Sequence, residues 1–387
     1  MRIGILTGTR PDIIKMAPLY WEARKRGHEP VLVHTGQHWS PHLFGGVYKD
    51  LELPEPSFKC GYGSPKSPAD SVAQMMGSLD KLLRSDLKNL DILLTHGDTL
   101  TALAGSLAAH LNVMAVGHVE AGLRTFSREP FPEQTDTRCS DACSDIFFAP
   151  TETNRKNLLN EGFDAKRIFL VGNTVVDAAK WAAKKGERAK PFFEKLEFDF
   201  SKPQVYFSCH RRETTMHAER FTAVAEAMCE AADSGYQVLW SVRPGTQKAI
   251  DEYGLAKEIA RHENLITVTD IPNYTDIMFY VSRCRMVVTD SGSMQEESAA
   301  LHVPCVTLRY VTDRPESVEA GVNLLAPPKS ADSIMRVVRE CEKNNDAMRK
   351  KRNPYGEGDS SKRIIGAMEK FGTPFVKWEH ERGEGGG

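Results

Sequence analysis

The chain has 387 residues, 41% hydrophobic and 26% charged, and its 50 Lys and Arg against 52 Asp and Glu leave a net charge of -2. That length predicts two domains, and the composition excludes a disordered chain, while Gly 29 and Pro 21 exclude a collagen-like one. There is no global positive field to call for nucleic acid, and no apolar run reaches the roughly 18 residues of a membrane span.

Short apolar runs alternate with longer amphipathic stretches along the chain. Strands are predicted at 3–6, 30–33, 92–95, 113–116, 146–148 and 168–171. Several are rich in Val and Ile and bounded by Gly, Asp or Pro, as buried parallel strands are. Helices are predicted at 12–26, 67–87, 99–110 and 152–160. Ser67-Pro68 opens one of them with a cap residue and then Pro at the first helical position. Residues 184–203 are charged, carry Pro191 and Pro203, and read as a connecting segment. A second series follows, with strands at 205–208, 237–241, 265–268, 286–289 and 305–308 and helices at 218–232, 276–283 and 294–301. Two consecutive βαβα series predict an α/β chain of two Rossmann-like, doubly wound domains. The run 383–387, Gly-Glu-Gly-Gly-Gly, reads as a flexible tail.

The start, Met-Arg-Ile-Gly-Ile-Leu-Thr, is too short an apolar stretch for a signal peptide. The eight Cys form no CxxC pair, so neither zinc nor a redox dithiol is signalled. A reduced cytoplasmic protein without a metal is expected. Basic clusters such as Arg24-Lys25-Arg26 read as solvated surface.

In open parallel sheets, ligands bind beyond the carboxyl ends of the strands. Polar residues crowd there: Gly8-Thr9-Arg10-Pro11, His96-Gly97-Asp98-Thr99, Gly117-His118-Val119-Glu120, Cys209-His210-Arg211-Arg212 and Thr289-Asp290-Ser291-Gly292. Ser291 and Gly292 offer helix N-terminal amides to an anion. Arg10, Lys15 and His210 are candidate phosphate partners. A carboxylate in Gln295-Glu296-Glu297 suits the paired hydroxyls of a ribose. Asp98, Glu120 and Glu133 are candidate proton carriers, since carboxylates converging in a desolvated cleft have their pKa values pushed apart. Asp98 also reads as the cap of the helix at 99–110.

These segments, with Thr35-Gly36-Gln37-His38, Gly172-Asn173-Thr174-Val175-Val176-Asp177, His210-Arg211-Arg212-Glu213, Arg314-Pro315-Glu316 and Asn353-Pro354-Tyr355-Gly356, resemble the non-hydrolysing UDP-N-acetylglucosamine 2-epimerases. The match runs in order over about residues 1 to 370. The resemblance implies a glycosyltransferase-B-like fold with an N-terminal domain at 1–180, a UDP-binding domain at 195–356 and a last helix, about 358–372, packing back on the first domain. It implies reversible conversion of UDP-GlcNAc to UDP-ManNAc without a cofactor, by anti elimination of UDP to 2-acetamidoglucal and syn re-addition. It assigns acid–base work to Asp98, Glu120 and Glu133. It sets His210 and Arg10 on the diphosphate with the Ser291 and Gly292 amides, Glu297 on the ribose, and Lys15 and Arg314 near the phosphates or sugar. A homodimer with a UDP-sugar as its only small-molecule partner is implied, with no nucleic acid and no membrane.

This chain departs from the family pattern at Thr214, Ser293, Gln134 and in Arg243-Pro244-Gly245-Thr246. Gln37, His38 and Arg243 are candidate regulatory residues, and the last departure implies weakened activation by a second UDP-GlcNAc. Alternatives are a 2-epimerase of another UDP-acetamido sugar, such as a diacetamido-uronic acid held by Arg124 or Arg128, then a glycosyltransferase or a UDP-sugar sensor.

Overall fold

The structure is a computed structural model that describes residues 1–37, 41–61, 63–126, 132–186, 190–196, 198–269 and 273–372. His38, Arg128 and the run 383–387 lie outside the described residues. The chain divides into two compact units, Met1–Ala178 with Gly356–Gly387, and Ala179–Tyr355.

The first unit is built on β1 (Arg2–Thr7), β2 (Glu29–His34), β3 (Phe58–Lys59), β4 (Ile92–His96), β5 (Val116–Val119), β6 (Ile146–Ala149) and β7 (Ile168–Leu170). They form one parallel sheet in the order β3-β2-β1-β4-β5-β6-β7. The order reverses direction between β1 and β4, which opens a crevice at their carboxyl ends. The inner strands are buried throughout, which is why they read as continuous Val, Ile and Leu runs. The fifth strand starts three residues later than its predicted position. Val113 has φ 57 and is half exposed, so it belongs to the turn after the helix Leu100–Leu111. His118 and Val119 thereby become strand residues, and the loop starts at Glu120.

The helix Ser360–Phe371 belongs to this first unit and packs on the helix Arg10–Lys25. Asp177 anchors its start by accepting from the Ser360 and Ser361 amides at 3.1 and 2.9 Å and the Ser361 hydroxyl at 2.6 Å. Asp177 acts there as a helix N-terminal anion, the arrangement that the free amides favour. Glu369 anchors the end through Arg26 and His28.

The second unit has β8 (Gln204–Ser208), β9 (Gln237–Ser241), β10 (Leu265–Val268), β11 (Met286–Thr289), β12 (Cys305–Thr307) and β13 (Asn323–Leu325), all parallel, in the order β10-β9-β8-β11-β12-β13. Phe207, Phe221 and Trp240 pack together in its core, fully buried. Truncating any of them to Ala costs about 3–5 kcal/mol, the usual value for a buried aromatic. Residues 184–203, read as a connector, carry the helix Lys190–Glu194, whose Phe193 stacks on Tyr280 of this core. Among the described residues, no helix is long and apolar enough to cross a membrane.

Candidate active site

In the first unit the site grows from the β1 and β4 ends. Thr9 caps the helix Arg10–Lys25, with Asp12 completing a capping box. Asp12 Oδ2 accepts the Gly8 and Thr9 amides at 3.2 and 3.0 Å. Its other oxygen stands 3.1 Å from Nδ1 of His96, the last residue of β4. His96 Nε2 lies 2.5 Å from Glu120 Oε2. Lys15 Nζ donates to both Glu120 oxygens at 2.8 and 2.9 Å, and Asn173 Nδ2 donates to Oε1 at 2.7 Å. All five side chains are buried. Glu120 takes this place at φ 63, in the left-handed region that a non-glycine residue enters at a cost.

Two carboxylates and two cations balance in this cluster. Burial opposes a charge on His96, but the Glu120 charge and the hydrogen bonds to Asp12 and Glu120 outweigh it, and the imidazole is raised to about 9. Glu120 is thus held as a carboxylate by two cations and an amide.

A second group of carboxylates lies beside it. Glu133 opens the helix Glu133–Ala142, and Asp136 stands one turn on, on the same face. Asp136 is 3% exposed. Burial, then the charges of Asp98 and Glu133, push it up to about 7. The structure therefore brings Asp98 and Glu133 together with Asp136. Glu120 adjoins the Gly97 turn, where an added Cβ would lie 3.6 Å from its Oε2. Asp98 is not the helix cap that it was also read as; Thr99 takes that role and accepts from the Ala102 amide at 3.2 Å.

His118 supports the Gly97 turn. Its Nε2 lies 2.8 Å from the Gly97 carbonyl and its Nδ1 2.6 Å from Asp141. Asp141 in turn pairs with Arg124 at 2.8 Å, and Arg124 with Glu161 at 2.5 Å. Gln37 accepts from the Thr101 amide and hydroxyl at 2.9 and 2.8 Å, so it ties its loop to the start of the helix Leu100–Leu111. Arg10 is half-buried in the first turn of its helix.

In the second unit the fixed point is Asp290, which follows β11 and is fully buried. One oxygen accepts the His210 and Arg211 amides at 2.8 Å each, and the other stands 3.1 Å from His210 Nδ1. Burial, with Arg243 and Arg211 nearby, holds the His210 imidazole below its usual range despite Asp290. His210 is therefore neutral at pH 7. Arg243, read as regulatory, sits close enough to act on His210 electrostatically and belongs to the same loop cluster.

Ser291 caps the helix Gly292–Ala300 through Met294, and a Cβ at Gly292 would come within 3.4 Å of Asp313. Burial raises Asp313, but Arg314, Arg309 and Arg211 outweigh it and hold the carboxyl well below the usual range. Arg309 donates to it at 2.6 Å. Arg314 donates to Glu296 at 2.7 Å. Three guanidiniums thus face two carboxylates around the start of this helix. Glu297 is buried on the same helix.

Asp12, His96, Asn173, Asp136, Asp290 and Asp313 escaped the sequence reading as site residues. Five of them lie in or beside the segments quoted above, so strand-end position was a usable signal. Asp136 offered only its spacing of three from Glu133. No three His, Cys, Asp or Glu groups among the described residues are spaced to hold a metal ion.

The family model described as UDP-N-acetylglucosamine 2-epimerase matches residues 22–369. The chain belongs to this family. The UDP-N-acetylglucosamine 2-epimerase of Methanocaldococcus jannaschii is 33% identical over 371 residues, covering 94% of this chain and 98% of that protein. A crystal structure of the same epimerase with UDP-GlcNAc and UDP superposes with a TM-score of 0.81 at 32% identity, covering 96% of this chain and 100% of the other. The Neisseria meningitidis UDP-GlcNAc 2-epimerase bound to UDP-GlcNAc gives 0.84 at 29% identity, with the same coverage. A 13% identical glycosyltransferase, SnogD of Streptomyces nogalater, gives 0.55 over 95% of this chain and 99% of its own, a likeness of fold alone. The epimerase family and the glycosyltransferase-B-like class thus share this pair of parallel sheets.

Proposed function

We propose that this chain interconverts UDP-N-acetylglucosamine and UDP-N-acetylmannosamine by eliminating and re-adding UDP. The observation that carries the reading is the Asp98, Glu133 and Asp136 group, carboxylates of which one is pushed up to about 7 by the others and by burial. Such a group holds an acid and a base side by side near neutral pH.

In the forward direction a carboxylate of the Asp98–Glu133 pair takes the C2 proton while the C1–O bond breaks. The bond electrons leave with UDP, and a C1–C2 double bond forms, giving 2-acetamidoglucal. Protonation of C2 on the opposite face and return of the UDP oxygen to C1 complete the epimerisation. The charge growing on the departing diphosphate calls for donors already in place. In the second unit these are the Ser291 and Gly292 amides, Arg211 and His210. His210 gains charge as the diphosphate does, since an added anion favours the imidazolium. Lys15 holds Glu120 in line beside the Gly97–Asp98 turn, and Glu297 suits the ribose hydroxyls. Homodimeric assembly, which rests on the family resemblance, and a cytoplasmic location, which rests on the cysteine pattern, form part of this reading.

A uronic acid substrate finds less support. Arg124, one of its two candidate cations, is bound to Asp141 and Glu161, and the other, Arg128, lies outside the described residues. Incubation with UDP-GlcNAc in deuterated water, followed by proton NMR, tests the reading. UDP-ManNAc with deuterium at C2 is expected. Free UDP and reducing sugar, or no change, would overturn it.

A further inference from the structure

Asp136 is the most buried of the grouped carboxyl side chains, and it has neither a hydrogen-bond partner nor an ion-pair partner among the described residues. Glu133 Oε2 likewise has no partner there. This contrasts with Glu120, whose oxygens meet Lys15, His96 and Asn173. A carboxylate removed from water with no cation carries a large solvation penalty and keeps its proton instead.

Among the described residues the surroundings offer no other compensation. The helix Leu100–Leu111 packs against the helix Glu133–Ala142, and its only titratable group is His110, at the far end. On the helix of Asp136 itself, Asp141 is taken by His118 and Arg124, and Arg138 turns toward Glu161. The charged groups that Asp136 feels are therefore Asp98 and Glu133, both negative, and they raise it to about 7 together with burial.

We propose that Asp136 is a positioning residue, a buried carboxylic acid kept neutral beside the Asp98–Glu133 pair, and that by withholding its own charge it keeps that pair with one base and one acid. The proposal rests on the reading of this pair as the acid–base group. Loss of the proton puts a second negative charge against the pair, and the pair then holds its own proton more tightly and loses its base.

The test is the pH profile of kcat/KM for wild type and Asp136→Asn, whose amide keeps the shape and carries no charge at any pH. The wild type should fall roughly 30-fold between about pH 6 and about pH 8.5, the behaviour of one group titrating near 7. Asp136→Asn should show a flat ratio across this range. An unchanged fall in the variant, or a folded variant inactive at every pH, would overturn the proposal. Infrared pH-difference spectra need no turnover. Wild type should lose a protonated-carboxyl band near pH 7 that Asp136→Asn lacks, and absence of that band in wild type would overturn the proposal by itself. If wild type fails to exchange C2 at any pH, the proposed function falls, and the infrared band still decides the state of Asp136.

Discussion

His96 Nε2 lies 2.5 Å from Glu120 Oε2 with both side chains buried, and Asp12 holds the other ring nitrogen at 3.1 Å. The ring therefore bridges two acceptors, and only the imidazolium donates at both ends. Lys15 supplies the second positive charge. A buried pair of this kind fixes a loop more than it stabilises a fold, because desolvation consumes much of the Coulomb attraction. What it fixes is the start of the helix Arg10–Lys25, the end of β4 and the strained turn at Glu120.

Stability should consequently decline with rising pH. The folded His96 is raised from 6.5 to about 9, so its contribution is fully present below 6.5 and is lost as pH passes through 9. The span corresponds to a contribution on the order of 3 kcal/mol. Thermal unfolding of wild type should fall more steeply between these pH values than that of His96→Asn. Parallel curves would show that the ring is neutral in the folded chain.

Glu120 and the Asp98–Glu133 pair should separate by what their loss damages. Glu120→Gln leaves Lys15 and His96 without their counter-charge and should cost about 3–5 kcal/mol of stability as well as activity. Asp98→Asn and Glu133→Gln act on the proposed acid–base pair. They should lower turnover by roughly 10²–10⁴ with melting temperatures close to wild type. Turnover and melting curves on the same three preparations decide the matter. A Glu120→Gln protein that melts like wild type would mean that the cluster is not a clamp.

Much of the fold was legible because parallel strands buried on both faces leave unmistakable apolar runs, as in Val205–Ser208 of β8. The reading slipped where a strand-like residue serves a turn, as Val113 does at φ 57. It also passed over β3 and β13, edge strands of two and three residues that carry too short a pattern to register. Of the candidate site, strand-end position revealed Asp98, Glu120 and His210. Their partners depended on side-chain reach across neighbouring elements, which no spacing encodes. Lys15 lies 105 residues from Glu120 in the chain, and Asp290 lies 80 from His210.

Asp290 should prove an organiser of UDP binding. It holds the amides of His210 and Arg211 on one oxygen, and hydrogen bonds to a charged acceptor contribute about 1.5–3 kcal/mol each. Asp290→Ala releases the loop that aims both side chains and should weaken UDP binding by tenfold or more in calorimetry. Wild-type affinity in this variant would mean that the loop is held by β8 alone.

Asp136→Asn should change stability with a sign opposite to that of His96. The Asp136 carboxyl titrates near 3.8 when exposed and near 7 in the folded chain. Below 3.8 both states carry the proton and the carboxyl costs nothing. As pH rises through the interval, the unfolded chain ionises freely while the folded chain resists, so stability is lost progressively up to about 7 and stays low beyond it. An amide has no charge to bury. The variant should therefore melt close to wild type at pH 4 and above wild type at pH 8, with the gap opening between those values. Asp98 and Glu133 are relieved of a neighbouring charge in the same variant, which acts in the same direction. A gap that is constant with pH would point to altered packing, and a variant less stable at pH 8 would require that Asp136 be ionised beside a cation in the folded protein.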